Sequence, residues 1–596
     1  MNRYQRVCAL LLALVLLTAC APRRTEPLPY PEPSASEPGK TIAYVPLDDR
    51  PDNVERVVYL AESLGYTLEM PELDLFRTRL DGQPLNENGT RHGDPQALAQ
   101  WVLEQEEAGC DHYILSLDQL HSGGLVSSRS IPEDSAVLRD GEAAAAQLAE
   151  LLEALAADSG NVVWLLDSVM RLAPTLGNVG NSVPVYNWVR AFGALPRVTL
   201  EGDALTLEGV LESYWRGPDG EDLYEKAADQ QGAEFAEDRY GPYRVLCDSL
   251  EARERKLRLS DGIQGILAQP GYERFRLLVG IDDSSLEDCI QKNEIAYLRR
   301  GLRSGADGER IDWLLSGVDD LAFKAVTRMY LDETGWSGTA AVRYFGGSEE
   351  QSACVYDFQP LTEIVEEHLS FLRLTEDSGT DGLQILILTQ PEDAERKSAY
   401  LDALLSALRD CRKNQRPTVL VNASNGTYGR AVYDALTKGA ELGHLLSCAG
   451  LLDMAIVTGT ALSHGAARYA VLQNGGGTVS MDRAWARTLA DSVIKDFCYR
   501  SAVRDDLLAY VVNDLGGDPD NFWAPEVDRE ALLERLVDGM ERQTPPVVKN
   551  LEKSRLITSL EPYEEQGWGG IALENYRYPW DRAFEIGMDI RLGEFR

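Results

Sequence analysis

Thr41–Asn53 reads TIAYVPLDDRPDN. The apolar run Ile42–Leu47 stops on Asp48, Asp49, Arg50 and Pro51, and a helical pattern begins at once over Val54–Leu64. A strand that empties charged residues onto the mouth of a helix is the βα unit of open parallel sheets and of β/α barrels. Both build their sites at the carboxyl ends of strands. Asp52-Asn53-Val54-Glu55 has the acid–x–x–Glu spacing of a helix start.

The same rhythm runs outward from this stretch. Strands are expected at Tyr66–Met70, His112–Leu117, Val162–Leu166, Phe275–Ile281, Ile311–Val318, Ala340–Phe345, Leu383–Leu388, Thr418–Val421 and Met454–Val457, with helical patterns between them. The spacing Ser284 to Glu287 reads as a second capping box. The fold class is α/β, with repeated βα units and parallel strands in two or more Rossmann-like domains. The alternative is a β/α barrel with an appended domain. The count of units favours the tandem arrangement, because it passes the eight that close a barrel. The domains expected are an N-terminal α/β domain at 41–350 with a helical insertion near 198–262, a second α/β domain at 351–482 and a helical C-terminal region at 483–596.

Residues 1–19 read as a lipoprotein signal peptide. Arg3 and Arg6 precede the short apolar run Ala9–Leu17, and Leu17-Thr18-Ala19-Cys20 resembles a bacterial lipobox. That pattern implies cleavage before Cys20 and lipidation of its thiol, with a plain secretory signal as the alternative. Residues 20–40, rich in Pro, Glu and Ser, follow as a tether. The expected location is the extracytoplasmic face of the cell membrane, lipid-anchored, with the bilayer as partner through a diacylglyceryl cysteine. Within 596 residues, 96 acidic against 58 basic side chains leave a net charge of −38. Such a balance argues against nucleic acid as a partner, since phosphates need basic contacts. Nine cysteines, scattered and without CxxC, outline neither a zinc site nor a disulfide framework.

Three strand ends carry paired acids: Asp48-Asp49, Asp282-Asp283 and Asp319-Asp320. Asp118 and Asp167 end two more strands. Neighbouring residues of a strand face opposite ways, so one Asp of each pair can face a cleft while the other meets the following helix. In a parallel sheet these ends share one side. Carboxylates crowded there can serve acid–base work, coordinate a divalent cation or bind hydroxyls. Arg50, Arg129 and Arg171 follow three of the same strand ends, suited to bidentate pairing. His121 and His464 are expected in Gly-rich loops that follow strands, and His121 is a candidate base or ligand. Gly123 and Gly124 permit a tight loop and close backbone approach. No P-loop, GxGxxG or GxSxG motif is present, so no nucleotide cofactor is implied, and a divalent cation stays open.

PLDDRPDN at Pro46–Asn53, SLDQLHSGGLVSSR at Ser116–Arg129, GIDDS at Gly280–Ser284, SGVDD at Ser316–Asp320 and PWDRAFE at Pro579–Glu585 resemble the bacterial family of domain of unknown function 4127. The resemblance implies that Asp48, Asp49, Arg50, Asp118, Gly123, Gly124, Arg129, Asp282, Asp283 and Asp319 belong to one functional rim. Two departures stand out. The family pattern has Asp-Glu where this chain has Asp319-Asp320, and Trp-Asn-Thr where it reads Thr458-Gly459-Thr460. The functional expectation is a hydrolase acting on a carbohydrate or envelope-derived small molecule. Asp282, Asp283 and Asp319 are its candidate catalytic groups, and Asp48, Asp49, Arg50, Asp118, His121, Gly123, Gly124 and Arg129 bind substrate. The alternatives are a non-catalytic solute- or glycan-binding lipoprotein and a metal-dependent isomerase or hydrolase using the same aspartates.

Overall fold

A computed structural model describes residues 40–131, 141–178, 181–224, 241–285, 288–306, 308–347, 356–379, 381–450, 453–475, 477–524 and 526–596. The expected signal peptide, Cys20, most of the tether, Cys354 and Glu287 of the second capping box lie outside these residues.

The first sheet contains β1 (Lys40–Val45), β2 (Tyr66–Glu69), β3 (His112–Ser116), β4 (Val162–Val169), β5 (Phe275–Ile281) and β6 (Trp313–Ser316). All six are parallel, in the order β2-β1-β3-β4-β5-β6. The second contains β7 (Gly338–Phe345), β8 (Leu374–Glu376), β9 (Leu383–Leu388), β10 (Thr418–Asn422) and β11 (Ser447–Gly450). It too is parallel, ordered β11-β10-β9-β7-β8. Counted from its own first strand, each sheet begins 2-1-3-4-5, the doubly wound order of flavodoxin-like folds. Both sheets are open, so the tandem reading holds and the barrel does not form. β7 pairs inside the second sheet, so the change of sheet falls before Gly338 rather than at the 350/351 boundary read from the sequence.

Strands β3, β9 and β10 are buried at every residue, as expected where helices cover both faces of a parallel sheet. Between the sheets the helix Leu321–Thr334 lies on the first and Met454–Asn474 on the second, and the two pack together. Their apolar side chains join those of both sheets in one continuous core, from Ile42 and Tyr44 through Val326 and Leu462 to Ile387 and Val421. Met454–Asn474 is buried at every position from Val457 to Leu472, which accounts for its lack of a polar face. Among the described residues no helix is long and apolar enough to cross a membrane.

Several local expectations are corrected. Met454–Val457 opens that helix and is no strand; the strand is β11, just before it. Thr458-Gly459-Thr460 and His464 therefore sit inside a buried helix, and His121 in the short helix Leu117–Ser122, rather than in loops. Asp167 lies within β4 rather than at its end. The Asp52–Glu55 capping box is not made: Val54 occupies the cap position with no side-chain bond, and Asp52 turns to other partners. The C-terminal region is helical only in part. From Arg555 it forms two antiparallel hairpins, β12–β13 (Arg555–Leu560, Tyr563–Gly567) and β14–β15 (Ile571–Arg577, Gly587–Leu592).

Candidate active site

The carboxyl ends of β1 and β6 meet through Arg50. Its backbone N–H, Nε and Nη2 donate to Asp48, which is fully buried, at 3.0, 3.0 and 2.7 Å. Its Nη1 and Nη2 donate to Asp319 at 3.1 and 2.5 Å. Glu585 stands 3.9 Å from Nη1. One guanidinium thus faces three carboxylates, and its flat face lies 4.5 Å from the Trp580 ring centroid. Asp49 accepts from the Thr78 N–H at 3.1 Å and Trp580 Nε1 at 2.8 Å. Burial pushes its pKa up to about 6. The segment Pro579–Glu585, which closes the chain's last motif, therefore lies directly on its first.

At the ends of β5 and β6 is a cavity of about 20 Å³ lined by Asp282, Asp283, Ser316, Gly317 and Asp319. Tyr356, Asp357, Phe358, Asp453, Ala455 and Ile456 wall its other side. Arg129, 4 % exposed, donates to Asp282 and, at 2.9 Å, to Thr175. Burial opposes ionisation of Asp282, yet Arg129 and Arg171 outweigh it and hold the carboxyl below its ordinary value. Asp283 pairs with Arg171. Its pKa is raised, first by burial and then by the charges of Asp282 and Asp319. The side chains of Asp283 and Asp319 are 22 % and 24 % exposed, whereas that of Asp282 is 3 % exposed. Asp357 accepts from the N–H groups of Met454 and Ala455, both at 3.2 Å, and so caps the buried helix where it meets the cleft.

The third pair divides as its alternation requires. Asp319 faces the cleft, while Asp320 turns inward to Lys324 Nζ at 2.9 Å. Burial lifts Asp320 to about 6 and lowers Lys324. Beside them His368 Nδ1 is bonded to the Ile364 carbonyl at 2.6 Å, and its Nε2 has no partner.

Behind β3 and β4 lies a separate ionic group. Lys256 Nζ meets Asp118 directly and Asp167 at 3.6 Å, and Ser168 Oγ donates to Asp118 at 2.9 Å. Asp118 is 2 % exposed. His121 is also buried, near the Ser122 hydroxyl at 2.8 Å. Burial, then the charge of Arg255, lowers its pKa to about 4, so it is neutral at pH 7. Gly123 has φ +72° and approaches Gly93, where a Cβ would stand 2.8 Å from the carbonyl; Gly124 has φ +130°. These residues shape the loop under β1 and β3 and do not line the cavity. Gln119 Nε2, donating to the carbonyls of Leu47 and Phe76, fills the crevice between those strands. In a doubly wound fold that crevice is the switch point where ligands usually enter.

A third buried network surrounds the first motif's helix. Arg56 donates to Asp496 at 3.0 Å and Ser492 at 2.6 Å, and Lys495 donates to Asp52 at 2.6 Å. Lys495 and Asp496 lie in a seven-residue π-helical stretch, Val493–Tyr499. Glu585 abuts the same network. Burial, then the charge of Asp52, raises its pKa to about 8.

Asp48, Asp49, Arg50, Arg129, Asp282, Asp283 and Asp319 are thus brought to one edge of one sheet, with Asp118, His121, Gly123 and Gly124 packed behind it. Sequence reading missed Lys256, Lys324, Asp357, Asp453, Lys495 and Glu585. Glu585 had a signal, since it closes PWDRAFE; the others stand in segments with no distinguishing spacing. Among the described residues no three His, Cys, Asp or Glu side chains are grouped to hold a metal ion. A profile described as protein of unknown function, DUF4127, matches residues 42–190 and 220–589. No curated protein and no solved structure matches the chain.

Proposed function

We propose, for a chain that belongs to the DUF4127 family, that it is an extracytoplasmic, lipid-anchored hydrolase. Its substrate class is a carbohydrate or envelope-derived small molecule, cleaved at the Asp283–Asp319 cleft. One observation carries the reading: two partly exposed carboxylates face one cavity, each backed by an arginine, and one of them has a raised pKa. Carboxyl groups in unlike environments divide the roles of acid and base. Asp283 takes the role of proton donor to the leaving oxygen, and Asp319, tied to Arg50, that of its partner. Arg129 and Arg171 keep Asp282 ionised behind them. The location rests on the Leu17–Cys20 pattern alone.

Turnover of a panel of aryl glycosides tests this. Asp283→Asn is expected to lower kcat/KM by about 10²–10⁴-fold, the range of general acid catalysis, and to remove the alkaline limb of the pH profile. Full activity in Asp283→Asn and Asp319→Asn refutes the catalytic reading. The walls the cleft takes from both sheets also favour a second reading, two lobes closing on a bound solute. In that case wild-type protein binds a glycan without turnover.

A further inference from the structure

We propose that a cavity at the opposite end of the second sheet from the cleft is a binding site for a phosphate monoester. The inference is independent of the Asp283–Asp319 reading, and the two sites share no lining residue.

Topology sets the place. The helices Lys397–Lys413 and Arg430–Gly439 run back to the amino ends of β10 and β11, and the long helix Arg529–Lys553 ends beside the second of them, just before β12. The cleft residues Asp453, Ala455 and Ile456 instead follow the carboxyl end of β11. Where the helices end is a cavity of about 560 Å³. Small-molecule sites run from about 300 to 1,000 Å³, so the space suits a small molecule rather than a bare ion. Charge selects the kind. Over the whole chain acids outnumber bases 96 to 58. The described residues lining this cavity reverse that ratio, with Arg412, Lys438, Lys549, Lys553 and Arg555 against Glu441. Carboxylates behind the lining count too. Arg412 is held by Glu441 at 2.8 Å and Glu565 at 2.7 Å, Arg555 by Glu565 at 3.5 Å, and Lys438 by Asp434 at 3.4 Å. Three carboxylates thus face five cations, and a surplus of two positive charges remains.

The surplus belongs to Lys549 and Lys553, which have no ion pair or hydrogen bond among the described residues. They stand four residues apart on one face of their helix, where like charges destabilise it. Lysines near a helix end ordinarily serve its last carbonyls. Here those carbonyls have other donors. Asn550 Nδ2 donates to the carbonyls of Thr437 and Ala440 at 2.9 and 2.7 Å, and Arg409 Nε to that of Gly439 at 3.1 Å. The Ser554 N–H donates to the carbonyls of Asn550 and Leu551 at 3.1 and 3.0 Å. Asn550 also accepts from the Leu442 N–H at 3.0 Å, so it fixes two walls of the cavity and leaves the lysines free. A phosphate monoester carries close to two negative charges at pH 7.5, its second pKa being about 6. That matches the surplus; a carboxylate matches half of it and a neutral sugar none. A sugar phosphate and a lipid headgroup share this chemistry, so the test must separate the two sources.

Isothermal titration of the full chain at pH 7.5 and low salt with glucose 6-phosphate, glucuronate and glucose compares two charges, one and none on similar sugar frames. Glucose 6-phosphate is expected to bind at least tenfold tighter than glucuronate, and glucose not at all. Dihexanoyl phosphatidic acid, a soluble lipid, carries the same monoester, and the tighter of the two phosphates names the source. Lys549 and Lys553 are both exposed, so the Lys549→Ala/Lys553→Ala variant should keep its Tm and bind the phosphate at least tenfold more weakly; Lys553→Gln alone serves if the double variant is unstable. Equal affinity for glucose 6-phosphate and glucuronate, binding of neither phosphate, or wild-type affinity in the lysine variant overturns the proposal. So does an affinity lost in Asp283→Asn and kept in the lysine variant, which would place the ester in the cleft.

Discussion

Arg50 has five N–H groups and three carboxylates around it. Asp48 and Asp319 take the well-directed bonds; Glu585, 2 % exposed and 3.9 Å away, takes none of them, and its Oε1 is unpartnered. Asp52, Lys495, Arg50 and Arg500 surround it, and burial dominates, so its folded pKa of about 8 lies above the ordinary carboxylate value. An acid with a raised folded pKa binds more protons folded than unfolded, so stability is full below about pH 4.5 and falls as pH rises towards 8. Glu585→Gln mimics the protonated form and lacks that loss. Its Tm should gain on wild type between pH 5 and pH 8 and hold the gain above, worth on the order of a few kcal/mol. A constant difference across that range would show that Glu585 ionises normally. Residues such as Asp48, Asp283 and Asp319 were legible because they end apolar strands, and strand ends of a parallel sheet share one edge. The pairings of Glu585 and Lys495 were not, because Arg50 and Asp52 lie more than 400 residues away and no local spacing encodes them.

At the scale of elements, the short apolar run Met454–Val457 could be read as strand or helix, and burial on all sides removed the periodicity that separates them. Gly459 on that helix has a consequence. A Cβ there would stand 1.7 Å from Asp320 Oδ2, 2.6 Å from Lys324 Cε and 2.8 Å from His368 Nε2, all buried. In an open helix Gly→Ala gains roughly 1 kcal/mol. Here overpacking costs about 1–3 kcal/mol and wins. Urea unfolding of Gly459→Ala should show a lower midpoint than wild type; a higher one would mean the Asp320 pocket yields freely. The inserted region read only as mixed helix delivers Lys256 on the long helix Pro242–Leu267. Lys256→Met leaves Asp118 and Asp167 facing each other without their cation, a change worth about 3–5 kcal/mol. The deficit should shrink as pH falls and the two carboxyls take protons, and a deficit independent of pH would count against the ion triad.

Across the whole molecule, two sheets of like strand order suggest two domains that fold alone, and the packing contradicts that picture. The layer between them consists of Leu321–Thr334 from the first sheet's run and Met454–Asn474 from the second's, pressed together. Separating them would expose an apolar helix buried from Val457 to Leu472, with the faces of Val326 and Met329 that meet the shared core. Each fully buried large aliphatic side chain is worth about 1.5–3 kcal/mol, and total stability is about 5–15 kcal/mol, so a few such losses exceed it. The chain's ends add a second tie: Trp580 bonds Asp49 and Arg577 pairs with Glu55, so the last hairpin holds the first βα unit. Fragments 34–337 and 338–596 produced apart should therefore fail to fold, with amide NMR spectra of poor dispersion, whereas together they should recover dispersed signals. The intact protein should melt in one transition by both tryptophan fluorescence and circular dichroism. Two well-dispersed fragments, or two melting steps, would mean the interlayer helices are stable on their own sheets and the cleft between Asp319 and Asp357 opens as a hinge.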